Sequence, residues 1–107
     1  MRVISQDGTM DFSYEISTIF IYPRIENVIA IQSAGDSEVS IIGRYSSKEK
    51  AIKAMEMLRK AYEDNEFYHY MSTTDTFEKA TSCLSNEEFK ELTSEYFQFP
   101  QDDEIEV

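Results

Sequence analysis

The sequence predicts an α+β domain: a four- to five-stranded antiparallel sheet packed by one long helix, with short helices toward the C-terminus. Two observations carry this. Turn signals recur at Gln6-Asp7-Gly8-Thr9, at Pro23 to Asn27 and at Ser33 to Ser37, and the segments between them are rich in β-branched and aromatic residues, as in an antiparallel meander. At Ser46 the apolar period then changes from that of a strand to that of a helix.

Arg2 to Ser5 reads as a first strand, and Asp7-Gly8 supplies the positive φ that a tight turn needs. Met10 to Tyr22 reads as a long second strand. Its far end, Ile16 to Tyr22, is apolar on both faces and is therefore a candidate subunit contact. Pro23 ends it, because proline cannot donate to a ladder. Val28 to Gln32 and Val39 to Tyr45 are the third and fourth strands. Ser46 with Glu49 has the spacing of a capping box, and Ala51, Met55, Leu58 and Tyr62 follow at helical spacing. A long amphipathic helix over 46–65 is expected, its methionines a second candidate contact surface. Glu66 to Ser72 is aromatic and fits a strand or a loop. Phe77, Ala80 and Leu84, then Ser85 with Glu88, point to short helices. Tyr96 to Phe99 reads as a closing strand, Pro100 stops it, and a solvated acidic tail is expected beyond. The organisation is one domain over 1–107: sheet to residue 45, long helix over 46–65, and short helices, closing strand and tail over 66–107.

Composition excludes several function classes. The chain of 107 residues carries 21 acidic and 10 basic residues, a net charge of −11. Sequence-independent grip on nucleic acid needs clustered Lys and Arg, so no nucleic-acid partner is expected. No apolar run approaches a membrane span, and the N-terminus lacks a secretory pattern. The one cysteine, Cys83, has no internal partner. These features point to a reducing cytoplasm as the expected location. Neither an enzyme nor a cofactor is expected. His69, between Tyr68 and Tyr70, has no nucleophile or orienting partner in any motif. Cys83 lacks a base to lower its pKa, and the tail carboxylates lack the alternation and glycine of a calcium loop.

The residues that attract a binding reading are arginines and aromatics. A guanidinium pairs with phosphate bidentately and stacks on adenine-like rings. Arg24 follows an aromatic strand, Arg44 sits at a strand end beside Tyr45, and Arg59 projects from the charged flank of the helix. Phe67, Tyr68 and Tyr70 form the densest aromatic group, able to stack on a base. The turn at Ala34-Gly35 can present backbone N–H groups to a phosphate.

Three blocks carry a resemblance: MRVISQDGTMDFSYE at the start, SSKEKAIKAMEMLRKAYEDN in the middle and FQFPQDDEIEV at the close. In this order they resemble a family of small proteins from phages and prophages of Firmicutes, and that family is similar to the first-described Thoeris anti-defence sponges. The matching blocks cover less than half of the chain. The resemblance implies an antiparallel sheet followed by a helical half, and assembly as a dimer or trimer of dimers. It also implies capture of cyclic ADP-ribose isomers at subunit junctions, with cyclic oligonucleotides at a separate site in some members. The family cleaves nothing. It further implies roles for Arg24, for the Ala34-Gly35 turn and for Arg59 in a second pocket, with Phe67, Phe77 and Asn86 as candidates in the C-terminal half. No arginine follows Arg59, so the family's late arginine has no counterpart and a different nucleotide ligand stays open.

The expected function is a phage anti-defence sponge that sequesters a cyclic nucleotide immune signal in the host bacterial cytoplasm. The candidate ligand-binding residues are Arg24, Ala34, Gly35, Arg44, Arg59, Phe67 and Tyr68. The alternative is an acidic phage inhibitor that binds a host defence protein, of the anti-CRISPR or DNA-mimic type.

Overall fold

A computed structural model of the chain describes residues 1–71 and 96–106. The elements run β1 (Arg2–Ile4), β2 (Asp11–Ser13), β3 (Ser17–Ile21), β4 (Val28–Ser33), β5 (Ser40–Arg44), α1 (Lys48–Met71) and β6 (Tyr96–Gln98), with single 3-10 turns at Tyr14–Ile16 and Asp102–Glu104. The class is α+β, as expected, but the strands do not form one sheet. They make two three-stranded sheets, in the orders β2-β1-β6 and β3-β4-β5. Nor is the pairing wholly antiparallel: β6 runs parallel to β1, with Val3 beside Phe97.

The division falls inside the segment expected to be one strand from Met10 to Tyr22. The chain turns once at Tyr14-Glu15-Ile16 and passes from one sheet to the other. Polar anchors hold that turn. The Met1 ammonium meets a Glu15 oxygen at 2.5 Å, the Tyr14 amide donates to the Met1 carbonyl at 3.0 Å, and the Ser13 hydroxyl donates to the other Glu15 oxygen at 3.2 Å. The Tyr14 ring stacks on Tyr62 of α1, centroids 4.2 Å apart.

The β1–β2 turn is built on Asp7. Its carboxylate accepts from the Ser5 hydroxyl at 2.7 Å, the Thr9 amide at 3.0 Å and the Thr9 hydroxyl at 2.7 Å, while Gly8 takes φ +77°. These donors, Ser5 first, lower the Asp7 pKa from 3.8 to about 2. A carboxyl whose pKa is depressed in the folded state stabilises it above the unfolded pKa and loses that stabilisation as the pH falls through the folded value. Urea midpoints for the parent chain and Asp7→Asn are thus expected to differ most above pH 3.8 and to converge as the pH falls toward about 2. A constant gap across that window would contradict the assignment.

The second sheet is the expected meander, with Ile19 opposite Ile31 and Phe20 opposite Ala30, and a bulge in β5 against Ile29/Ala30. Ile29, Ile31 and Ile42 are buried in a cluster with Ala51, Ala54, Met55 and Leu58 of α1. The helix thus packs on this sheet through the stripe that the periodicity marked.

Both ends of α1 differ from expectation. Its cap is Ser47, not Ser46: the Ser47 hydroxyl accepts from the Lys50 amide at 3.3 Å, and the Ser47 carbonyl accepts the first helical bond, from Ala51 at 3.2 Å. The Ser46 amide donates instead to Asp102 Oδ1 at 2.7 Å. At the other end α1 continues through Glu66–Met71, where a strand or loop was expected. Neither glycine nor proline occurs between Gly43 and Pro100, so no strong breaker stops the helix, and the aromatic residues extend it. The short helices expected around Phe77 to Leu84 and after Ser85 lie outside the described residues, as do Phe77, Cys83 and Asn86.

The C-terminal segment is docked, which corrects the expectation of a solvated tail. Phe99 and Ile105 are buried in the core cluster beside Val3 and Tyr45. The Tyr45 hydroxyl donates to the Pro100 carbonyl at 2.9 Å, and burial pushes the Tyr45 pKa up. Lys50 Nζ donates to the Asp102 carbonyl at 2.8 Å and meets its carboxylate at 3.3 Å. Acceptance from the Ser46 amide and hydrogen bonding to Lys50 hold the Asp102 pKa below its ordinary value.

Candidate functional site

The expected site residues fall in several places. Arg24 is exposed in the turn after Pro23. Ala34 and Gly35 form the β4–β5 turn, Gly35 at φ +82°, and border a cleft of about 390 Å³ with Ile16, Thr18 and Gln32. Arg44 ends β5 and borders a smaller hollow of about 100 Å³ with Ser5, Gln6 and Asp7. Arg59 borders a third, of about 260 Å³, between β3 and α1, with Tyr14, Ser17, Ile19, Met55 and Leu58. Phe67 is half exposed and Tyr68 is partly buried in the last turns of α1. The Tyr68 ring stands edge-on to His69, centroids 5.7 Å apart. Arg24, Phe67 and Tyr68 border none of these three hollows.

The structure brings the Ala34-Gly35 turn and Arg59 together through one residue. Ser17 borders both of the larger clefts. Its hydroxyl oxygen is shielded from solvent and has no hydrogen-bond partner among the described residues. A buried hydroxyl left without a partner costs about 1–3 kcal/mol, so Ser17 is a polar group held ready for a donor or acceptor. No motif marks Ser17, which is one serine among many in a β-rich stretch. Tyr14, fixed against Tyr62, and Gln6 also went unmarked, because each acts through a fold contact rather than through spacing.

The electrostatics divide the two clefts. Glu15 and Asp36 border the Ala34-Gly35 cleft, with no lysine or arginine among its described walls, so these walls disfavour a phosphate and suit neutral polar edges. The cleft beneath α1 has Arg59 as its charged wall and Tyr14 as its aromatic one, the pairing that an anionic ring-bearing ligand uses.

The ion pairing of the described cations is uneven. Arg2 pairs with Asp11. Lys48, Lys50, Lys53 and Lys60 pair with Glu26, Asp102, Glu56 and Asp64 respectively. Arg24, Arg44 and Arg59 have no ion-pair partner among the described residues, although the chain holds 21 carboxylates. Among the described residues no group of three His, Cys, Asp or Glu side chains is arranged to hold a metal ion, and no helix is long and apolar enough to cross a membrane.

Searches against protein-family models, curated proteins and solved structures found no match for this chain.

Proposed function

We propose that this protein is a phage-encoded sponge that binds and sequesters a cyclic nucleotide immune signal, a cyclic ADP-ribose isomer or a cyclic oligonucleotide, in the host cytoplasm and does not cleave it. The observation that carries this reading is the set of arginines without an ion-pair partner among the described residues. In a chain of net charge −11, every described lysine has found a carboxylate, while Arg24, Arg44 and Arg59 have none among the described residues. A guanidinium beside a cleft, without a carboxylate partner among the described residues, is available for phosphate. Arg59 lies where that charge meets an aromatic wall and the Ser17 hydroxyl, which has no hydrogen-bond partner among the described residues. In this reading Arg59 takes a phosphate, Tyr14 faces a ring, and the neighbouring Ala34-Gly35 cleft receives the ligand's uncharged polar edge. Arg44 is the candidate for a second, smaller anion contact.

The test is native mass spectrometry of protein purified from cells that make such signals, followed by titration calorimetry. The expected result is an intact nucleotide released on heating. Losing one charge-assisted contact weakens binding on the order of tenfold to a hundredfold, so Arg59→Ala is expected to lose affinity by that factor while Lys48→Ala is unchanged. A protein that releases no nucleotide and binds none across a panel of cyclic ADP-ribose isomers and cyclic oligonucleotides overturns the reading, and the acidic inhibitor of a host protein then takes its place.

A further inference from the structure

We propose that β3 is the seam of a two-fold symmetric dimer, in which Ser17–Ile21 pairs antiparallel with the same strand of a second copy, centred on Ile19. The argument begins with the sheet edges. An open strand edge templates pairing with another chain unless it is short, charged or covered. In the first sheet the outer strands β2 and β6 are three residues each, and β2 carries Asp11, paired with Arg2. In the second sheet the outer side of β5 is covered by Gln6. The Gln6 amide donates to the Ile42 carbonyl at 2.8 Å. Its side chain accepts from the Arg44 amide at 2.9 Å and donates to the Arg44 carbonyl at 3.0 Å. β3 is the edge without such protection. It is five residues long and reads Ser-Thr-Ile-Phe-Ile, without a charge or a proline, and among the described residues no strand lies on its outer side.

The hydrogen-bond phase fixes how a second copy fits. Tyr22 donates to the Val28 carbonyl and Ala34 to the Ile16 carbonyl, so the even-numbered residues of β3 face β4. Ile19 and Ile21 therefore turn their backbone N–H and C=O outward, and Ser17 its C=O, by the alternation of an antiparallel ladder, while the Ser17 amide closes the 3-10 turn by donating to the Tyr14 carbonyl. Centring the pair on Ile19 sets each outward residue against another outward residue: Ser17 against Ile21, and Ile19 against itself. A shift by one residue opposes outward to inward groups, and a shift by two leaves one end unpaired. The centred register also sets Ile16, 59% exposed, against Tyr22 of the second copy. Ser17 and Ile19, which border the Arg59 cleft, then meet Ile21 and Ile19 of the second copy, so each copy supplies part of the other's cleft wall. The pairing rests on strand geometry and stands whether or not a nucleotide binds.

The experiment uses the full chain. Light scattering after size exclusion is expected to give twice the 12.5 kDa of one chain, or a multiple built from that pair. In a Cys83→Ser background, Ile19→Cys is expected to cross-link on mild oxidation, because an opposed hydrogen-bonded pair has Cα atoms roughly 5.5 Å apart, within disulfide range. Thr18→Cys, which opposes Phe20 rather than itself, is expected to cross-link far less. Ile21→Pro removes an N–H on the outer side of β3 and is expected to yield a monomer with an unchanged circular dichroism spectrum. A monomeric parent chain overturns the proposal. So does a dimer in which Ile19→Cys fails to cross-link and Ile21→Pro leaves the mass unchanged.

Discussion

Phe99→Ala is expected to destabilise the fold by about 3–5 kcal/mol, the range for truncating a buried aromatic ring. Phe99 is 1% exposed and stands edge-on to Phe97, centroids 5.2 Å apart. Its amide donates to the Ile4 carbonyl at 3.2 Å. The ring belongs to the cluster that also holds Val3, Ile42, Leu58 and Ile105, so the cavity would open where both sheets and the helix meet. A small domain has only about 5–15 kcal/mol in total, and the loss would be a large share of it. Urea denaturation measures the change. A lower midpoint with an unchanged slope means that the whole fold has weakened. A lower slope as well means that the C-terminal segment peels away while the second sheet persists. A loss below roughly 1 kcal/mol would show that Phe99 is not the keystone that its burial indicates.

Gln6→Leu is the second large effect, expected at about 1–3 kcal/mol. Leucine keeps the volume and the backbone bonds, including donation from Gln101 Nε2 to the Gln6 carbonyl at 2.6 Å. It deletes the side-chain amide, which accepts from the Arg44 amide and donates to the carbonyls of Arg44 and of Pro100, the last at 3.2 Å. One side chain thus joins the first turn, the edge of β5 and the C-terminal segment. Water can reach the exposed Arg44 backbone, which sets the lower end of the range. Hydrogen exchange checks the mechanism independently: the Arg44 amide is expected to lose protection in the variant, and unchanged protection there would refute the role assigned to Gln6.

What the sequence made legible was local. The Asp7-Gly8 and Ala34-Gly35 turns could be read because only a few residue types take positive φ. The face of α1 could be read from Ala51, Met55 and Leu58, because a buried stripe repeats with the helical period. What escaped depends on contacts between distant residues. The parallel pairing of Val3 with Phe97 leaves no mark in either segment. The break at Tyr14-Glu15-Ile16 is held by the Met1 ammonium and by Tyr62, and an alternating apolar pattern carries no trace of such anchors. The docking of Asp102 and Ile105 was read as a solvated tail, because acidic residues around one isoleucine look soluble until Ser46 and Lys50 come to meet them. The candidate site divides in the same way. Arginine and the glycine turn stand out by residue type, whereas Ser17 gains its interest only from being buried without a partner among the described residues.

The neighbouring of β1 and β6 also sets an order of events in synthesis. The meander of β3, β4 and β5 and the helix α1 are built from chain segments close in sequence, and they can form as they emerge from the ribosome. β1 emerges earlier than all of them but has only β2 beside it until Phe97 has been made. Bringing the two strands together closes nearly the whole chain into a loop, a contact whose entropy is met late. One edge of β1 therefore waits uncovered until Phe97 has been made, and in that interval a chaperone, or another nascent copy, has its opportunity to bind.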